Sequence, residues 1–158
     1  MLRIGIGYDS HRFEAGRPLI LGGQRIPFDK GLRGHSDADA VLHAVTDAIL
    51  GAAAAGDIGT LFPDSDPAWK DADSVRLLEQ AAALLKRRGA APRQVDVTVI
   101  AERPRLEPYK QAMRETIARA LDLPERDVSV KAKTNEGMGF IGRGEGVAVI
   151  AVATVEGP

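Results

Sequence analysis

The stretch from Val147 to Val155 constrains the fold more than any other segment. Valines and an isoleucine interleave with alanines, a mixture that favours a strand over a helix. Successive strand residues point to opposite faces, so both faces of this segment are apolar and both need cover. A chain of 158 residues reads most simply as one domain, 1–158, with a core of its own. Covering such a strand twice within that length calls for a partner subunit on one side.

The remaining pattern supplies one layer of helices. Residues 2–8 and 18–22 read as strands joined by a turn containing Gly16 and Pro18, and Gly31 to Gly34 reads as a loop. Ser36 or Asp37 then caps a helix that runs to about Ala55, with Asp39 reaching back as a weak capping box. Its apolar stripe is Val41, Ala44, Val45, Ala48 and Ile49. Residues 56–72 are rich in Gly, Pro and Asp, and a loop of that length is functional unless disordered; Phe62 and Trp69 argue for order. Asp73 or Ser74 caps a second helix, which ends at Arg87-Arg88-Gly89 where cations and glycine suit a C-terminus. Gln94 to Ala101 alternates as a strand, Pro108 to Leu121 is a third amphipathic helix, and Val128 to Lys133 is another strand. The order β-β-α-α-β-α-β-β predicts an α+β fold, an α/β sandwich. It has a mixed four-stranded sheet plus a small hairpin, with helices on one face.

Charge and cysteine content narrow the chemistry. A formal net charge of −1 leaves no electrostatic footprint for nucleic acid or an anionic membrane. No apolar stretch approaches a membrane span, and Met1-Leu2-Arg3-Ile4 enters the first strand without a signal-peptide layout. With no cysteine, disulfides and thiolate metal sites are excluded, and the expected location is cytoplasmic.

Metal chemistry is still open through oxygen and nitrogen. Asp9 and His11 sit two apart after Ile4-Gly5-Ile6-Gly7-Tyr8, so a continuing strand aims both to one face. His43 lies in the first helix pattern as a third ligand, and one carboxylate with two imidazoles leaves an open coordination position of the catalytic zinc type. The bland alternative, polar residues at element ends, carries even weight on spacing alone. Asp39, His43 and Asp47 are four apart and share a helix face, which places a carboxylate one turn to either side to orient the imidazole. Thr134 to Gly146 holds five glycines in thirteen residues, either a phosphate cradle with the Thr134 hydroxyl as a further donor or a tight hairpin. Glu136 in that loop is an oxygen ligand for magnesium or a plain turn residue. Gly34-His35-Ser36 precedes the first helix, where an anion is favoured; Ser36 alternatively serves only as a cap. Together these features describe metal-assisted chemistry on a phosphorylated, hydroxylated substrate.

Six separated motifs then carry a resemblance over nearly the whole chain. They are Gly7-Tyr8-Asp9-Ser10-His11, Gly22-Gly23, Gly34-His35-Ser36-Asp37-Ala38-Asp39, Gly56-Asp57-Ile58-Gly59, Leu61-Phe62-Pro63-Asp64 and Gly139-Phe140-Ile141-Gly142-Arg143-Gly144-Glu145-Gly146. In order and spacing they resemble the 2-C-methyl-D-erythritol 2,4-cyclodiphosphate synthase family, lyases of the non-mevalonate route to isoprenoids. The resemblance implies that 4-diphosphocytidyl-2-C-methyl-D-erythritol 2-phosphate is converted to the cyclic diphosphate and CMP. It implies Zn2+ on Asp9, His11 and His43, and Mg2+ or Mn2+ on Glu136 together with the substrate phosphates. His35 and Thr134 fall on the catalytic positions, and Ser10 and Ser36 lie beside the metals and phosphates.

The same resemblance places the erythritol hydroxyls against Asp57, Ile58, Gly59, Phe62 and Asp64. Cytidine would lie on another subunit of a homotrimer, against Ala101, Pro104, Arg105, Leu106 and the run Ala132-Lys133-Thr134. Phe140 and Arg143 complete the implied contacts. Arg105 stands where the family often has lysine, Glu107 replaces an apolar residue, and Lys133-Thr134-Asn135-Glu136 replaces a threonine-rich turn; all bear on cytidine recognition. Two other classes compete. A metal-dependent phosphohydrolase would release free phosphate, and a non-catalytic trimeric binding protein would keep its ligand affinity without metal.

Overall fold

In the computed structural model, which describes residues 1–158, the chain builds a mixed sheet under a layer of helices. The strands are β1 (Leu2–Ala15), β2 (Leu19–Leu21), β3 (Gln24–Ile26), β4 (Lys30–Leu32), β5 (Ala91–Ile100), β6 (Val128–Lys133) and β7 (Gly146–Glu156). The helices are α1 (Ala40–Ala52), the single turn α2 (Ile58–Leu61), α3 (Ser74–Arg87), α4 (Lys110–Leu121) and the single turn α5 (Gly139–Gly142). The main sheet runs β4-β1-β7-β5-β6, with β2 and β3 paired apart from it. Only β5 and β6 are parallel. No helix is long and apolar enough to cross a membrane.

The sandwich with helices on one face is as the sequence predicts, but the sheet has five strands rather than four. The fifth, β4, overlaps the start of the predicted loop from Gly31 to Gly34 and pairs with the far end of β1. β1 itself runs past residue 8, carrying Asp9 and His11 within the sheet. Three residues are too few to show an alternating pattern, and only the extended β1 creates the edge that β4 joins.

Along β7 the side chains facing the helices, Val147, Val149, Ala151, Ala153 and Val155, are buried against α1 and its neighbours. They meet Val95, Val97 and Val99 of β5 on the same face. α1 is buried nearly all round, from Ala40 through Ala52, because the sheet holds one side and α3 packs on another. Within one chain the opposite face of the sheet is bare. Ile4 and Ile6 of β1 are 73% and 69% exposed, and they stand beside Tyr8, Ile150 and Val152 in cross-strand register. The two-sided cover that the sequence demands of β7 is therefore met on one side only.

Helix starts follow from capping. Asp39, rather than Ser36 or Asp37, is the N-cap of α1, its carboxylate accepting from the Leu42 N–H at 3.0 Å, so α1 begins at Ala40. The same carboxylate accepts from Gly22 N–H at 2.9 Å and Gly23 N–H at 2.7 Å. These are the two left-handed residues of the β2–β3 turn, a conformation that favours glycine. One buried aspartate thus ties the small hairpin to the helix.

Glycine in β1 sets the height of α1. Gly5 and Gly7 point toward the helix, and a Cβ at either would overlap the carbonyl oxygen of Ala48 or Ala44. With alanine on the helix and no side chain on the strand, the two backbones touch. Gly7→Ala is expected to destabilise the fold by about 1–3 kcal/mol or more, since neither backbone can yield cheaply. A urea midpoint equal to that of the parent protein would refute this account of the packing.

Candidate metal centre and surrounding cavity

Asp9 and His11 lie on the helix-facing side of β1, in phase with Gly5 and Gly7. His43 precedes Ala44, the residue that rests on Gly7. The close packing of α1 on β1 therefore delivers the imidazole of His43 to the end of the glycine track. His11 Nε2 lies 2.7 Å and His43 Nδ1 3.1 Å from the same oxygen, Asp9 Oδ2. The three ligand atoms all lie within 4.8 Å of one another. Tetrahedral zinc with bonds of about 2.0–2.1 Å needs ligand atoms roughly 3.4 Å apart, so each imidazole nitrogen would move slightly away from Asp9 Oδ2.

The outer edges of both rings are engaged. His11 Nδ1 is 2.7 Å from the Arg33 carbonyl oxygen, which can only accept, so Nδ1 carries the proton and Nε2 offers its lone pair inward. His43 Nε2 lies 2.9 Å from Ser74 Oγ and 3.1 Å from Ser36 Oγ. Paired imidazoles held from behind and aimed at one carboxylate fit a divalent cation.

Burial works to lower the pKa of His11, but the hydrogen bond and charge of Asp9 prevail, and the net effect is a rise above the ordinary 6.5. For Asp9 burial acts to raise the pKa, and the hydrogen bonds and charges of the two imidazoles hold it below its ordinary value. Protons and metal thus compete for the same pocket of negative potential.

The carboxylates expected to orient His43 do other work. Asp39 caps α1 and holds Gly22 and Gly23, as above. Burial and the neighbouring Asp37 charge push its pKa up to about 6, against the three backbone donors that favour its ionised form. Asp47 accepts from the Ile58 N–H at 2.7 Å, pinning the start of α2. Neither is bonded to the ring. The helical spacing of four is present, but α1 is buried on most sides, so its polar residues turn to different neighbours rather than along one solvated face.

The cluster forms the floor of a cavity of about 350 Å³. Its walls include His35 and Ser36 from the segment before α1, and Ile58, Gly59, Phe62 and Asp64 from the long loop. That loop is folded: Phe62 and Trp69 pack edge to face with centroids 4.9 Å apart. Asp57, also expected to meet substrate, instead caps α2, accepting from Thr60 N–H at 2.8 Å and Thr60 Oγ–H at 2.7 Å. Ser10 follows the strand alternation to the opposite, exposed face of β1 and does not line the cavity.

The second group of expected residues is elsewhere in the subunit. Ala101, Pro104, Arg105, Leu106, Ala132, Lys133, Thr134, Glu136 and Phe140 do not line the cavity around Asp9. Leu106 is in the core at 4% exposure. Arg143 borders a separate hollow with Phe13, Lys30 and Glu102. The glycine-rich run is not a hairpin, because β6 and β7 are separated by β5 in the sheet and the run crosses over, folding into α5 on the way. Glu136 is held in the left-handed region, φ 53°. Glu102 Oε1 accepts from the N–H groups on either side of it, Asn135 at 2.7 Å and Gly137 at 3.4 Å.

Several supporting residues carry no local sequence signal. Glu102 reads as a surface residue after a strand. Arg17 follows a turn glycine, yet its guanidinium donates to the carbonyls of Gly34 at 2.9 Å and Ser36 at 2.8 Å, bracketing His35. Ser74 reads as a helix cap, and its contact with His43 depends on how α3 lies beside α1. Each is a long-range pairing that pattern reading along the chain does not reach.

Comparison with known proteins is consistent across the whole length. The model of the YgbB family matches residues 2–156. The 2-C-methyl-D-erythritol 2,4-cyclodiphosphate synthase of Salinibacter ruber is 58% identical, over 98% of this chain and 99% of its own. A solved structure of 2-C-methyl-D-erythritol-2,4-cyclodiphosphate synthase in its CDP-bound form is 42% identical with a TM-score of 0.89, over 98% of this chain and 100% of that one. A bifunctional protein of Campylobacter jejuni is 45% identical with a TM-score of 0.95, covering 100% of this chain and 43% of its own.

His43→Ala is expected to weaken binding of a divalent cation more than 100-fold, beyond the roughly 10–100-fold that loss of a supporting residue costs. A zinc titration against a chromophoric chelator measures it. Unchanged zinc affinity would remove this cluster as a metal centre.

Proposed function

The chain belongs to the YgbB family, and from that membership and the site's geometry we propose the chemistry that follows. The protein is a 2-C-methyl-D-erythritol 2,4-cyclodiphosphate synthase, a lyase that converts 4-diphosphocytidyl-2-C-methyl-D-erythritol 2-phosphate to the cyclic diphosphate and CMP. The observation that carries this reading is the convergence of Asp9, His11 and His43 at the floor of a cavity whose walls hold His35, Ser36 and Asp64.

In the reaction an oxygen of the 2-phosphate attacks the diphosphate phosphorus nearer the erythritol. The bond from that phosphorus to the bridging oxygen breaks, and CMP leaves with that oxygen. No water is consumed and no enzyme group is modified, so the protein's task is positioning and charge stabilisation. Asp9, His11 and His43 hold Zn2+, and Glu136 holds Mg2+ or Mn2+ against the phosphates. Bound there, the cations supply positive charge that offsets repulsion between two phosphate groups and the charge developing on the attacked phosphorus.

The chain's own groups do the rest. Ser36 and His35 present polar atoms to the phosphates from the segment that Arg17 clamps. Asp64, Gly59 and Ile58 meet the erythritol, and Phe62 backed by Trp69 closes that wall against water. Asp57 acts by capping α2 and so shaping the loop, with its carboxylate already engaged by Thr60. Thr134 stabilises the transferring group, and Thr134 Oγ, accepting from the Glu136 N–H at 3.3 Å, helps to set the metal-binding carboxylate.

The cytidyl group lies across a subunit boundary, against Ala101, Pro104, Arg105, Leu106, Ala132, Lys133 and Thr134 of a neighbour, with Phe140 and Arg143 completing the contacts. Two features support a homotrimer of single-domain subunits. The two halves of the expected site are apart within one chain, and the outer face of β1 and β7 is an uncovered apolar surface.

The decisive experiment is incubation with the cytidyl substrate, Zn2+ and Mg2+, followed by phosphorus NMR. CMP and a cyclic diphosphate are expected in equal amounts; free phosphate would instead mark a hydrolase. Glu136→Gln is expected to keep zinc but to need much more magnesium for half-maximal rate, because an amide is a poorer ligand for a hard dication. An unchanged magnesium requirement would remove Glu136 from the reaction. Zinc affinity should fall as pH drops, and the loss should begin above 6.5, because the His11 pKa is raised and the proton competes for Nε2. Affinity independent of pH between 8 and about 6 would contradict the assignment of His11.

A further inference from the structure

The outer nitrogen of His43 ends on a hydroxyl whose proton is already committed. Ser74 is fully buried at the start of α3, and its hydroxyl is hydrogen-bonded to Asp37 Oδ1. An ionised carboxylate accepts and does not donate, so the proton of that bond comes from Ser74. The lone pairs of Ser74 Oγ are then left to face His43 Nε2 at 2.9 Å, which places the ring proton on Nε2. Nδ1 is consequently the nitrogen with a free lone pair, and it is Nδ1 that lies 3.1 Å from Asp9 Oδ2.

We propose that Asp37 and Ser74 are positioning residues for the metal centre, a carboxylate–hydroxyl–imidazole relay that fixes the tautomer and rotation of His43 so that Nδ1 is the ligand. The proposal rests on the reading of Asp9, His11 and His43 as the zinc site.

The relay is held from several directions. Asp37 Oδ2 accepts from the Ser74 N–H at 3.0 Å, and Oδ1 accepts from the Asp39 N–H at 3.1 Å. The Asp37 N–H donates to the Ala72 carbonyl at 3.1 Å, and the Asp71 N–H donates to the His35 carbonyl at 2.8 Å. The carboxylate therefore has little freedom to turn away from Ser74. Without it the serine hydroxyl could rotate and donate to Nε2, which would favour the other tautomer, with a proton on the nitrogen that faces the metal. Ser36 Oγ, 3.1 Å from the same Nε2, is the weaker partner: it accepts from the Ala38 N–H at 3.3 Å and is bonded to no carboxylate. A buried hydroxyl left without its acceptor also carries a desolvation cost, so the pair persists as a unit.

This arrangement differs from the support of His11, where a backbone carbonyl does the same task. A carbonyl accepts whatever the rest of the chain does. Ser74 accepts only because Asp37 takes its proton, and Ser74 is the first residue of the helix that follows the substrate loop. Metal ligation is thereby linked to the seating of α3 and, through residues 71–74, to the end of that loop.

The test measures zinc affinity and coordination directly, apart from turnover. Ser74→Ala is expected to bind zinc roughly 10–100-fold more weakly, the range for loss of an outer-shell partner, and Ser74→Thr, which restores a hydroxyl, is expected to recover most of it. Affinity in Ser74→Ala equal to the parent's would overturn the proposal. Histidine-selective nitrogen NMR of the zinc-loaded wild-type protein adds a measurement that requires no variant to fold. His43 is expected to coordinate through Nδ1 and to show a slowly exchanging Nε2 proton. Coordination through Nε2, or fast exchange of that proton, would overturn it equally. His43→Ala separates the two levels of inference. If that variant also keeps its zinc, the metal-centre reading has failed; if it loses zinc while Ser74→Ala does not, only the relay has failed.

Discussion

At Gly5 and Gly7 the first strand presents no side chain to the helix above it, and the rest of the molecule depends on that bare surface. Helix and sheet normally stand apart by the thickness of their side chains. Here the alanines of α1 sit on glycine, and the helix comes down until its carbonyl oxygens reach the strand. Two things follow from the short distance. α1 sinks far enough for α3 to cover it, so it is buried nearly all round. His43, one residue before Ala44, arrives level with Asp9 and His11, and a centre assembled from two different elements needs no long side chains to close it.

Around that contact, carboxylates serve as internal anchors more than as surface charge. Asp39 takes the N–H groups of both turn glycines and the first turn of α1. Asp37 takes Ser74 and the Asp39 N–H. Asp47 and Asp57 both seat the N-terminal turn of α2. Glu102 grips the main chain on either side of Glu136. Each saturates backbone donors that a loop leaves unpaired, and each is stronger than a neutral acceptor in the same place. In the long loop over residues 56–72 only Phe62 is buried, and these bonds take over much of the work that a core does elsewhere.

Much of this was legible in the chain, and the illegible part has a common cause. Period-two alternation puts Asp9 and His11 on one face, and helical periodicity finds α1, α3 and α4; Asp73 caps α3 as read, whereas the cap of α1 is Asp39 rather than Ser36 or Asp37. The apolar run of β7 is a strand, as its composition predicts. The spacing of Asp39, His43 and Asp47 predicts one helical row, but Asp39 is the cap and the buried α1 has no solvated face for a row to share. β4 was missed because a strand of three residues has no period. Ser74, Arg17 and Glu102 act on partners 31, 17 to 19, and 33 to 35 positions away, distances that only the packed fold makes short. Local pattern reports what a segment wants to be, and these residues are defined by what another segment brings to them.

The edge-to-face stack of Phe62 and Trp69 has a consequence for how this molecule can be watched. Trp69 is the only tryptophan in the chain, and it borders the cavity whose floor is the histidine cluster. The ultraviolet emission of the protein therefore originates almost wholly from one wall of one chamber. An indole pressed against a phenyl ring changes its emission when that ring moves or when water reaches it. The molecule thus carries a built-in optical gauge of this cavity wall, with only the weaker emission of Tyr8 and Tyr109 behind it, and present without any label.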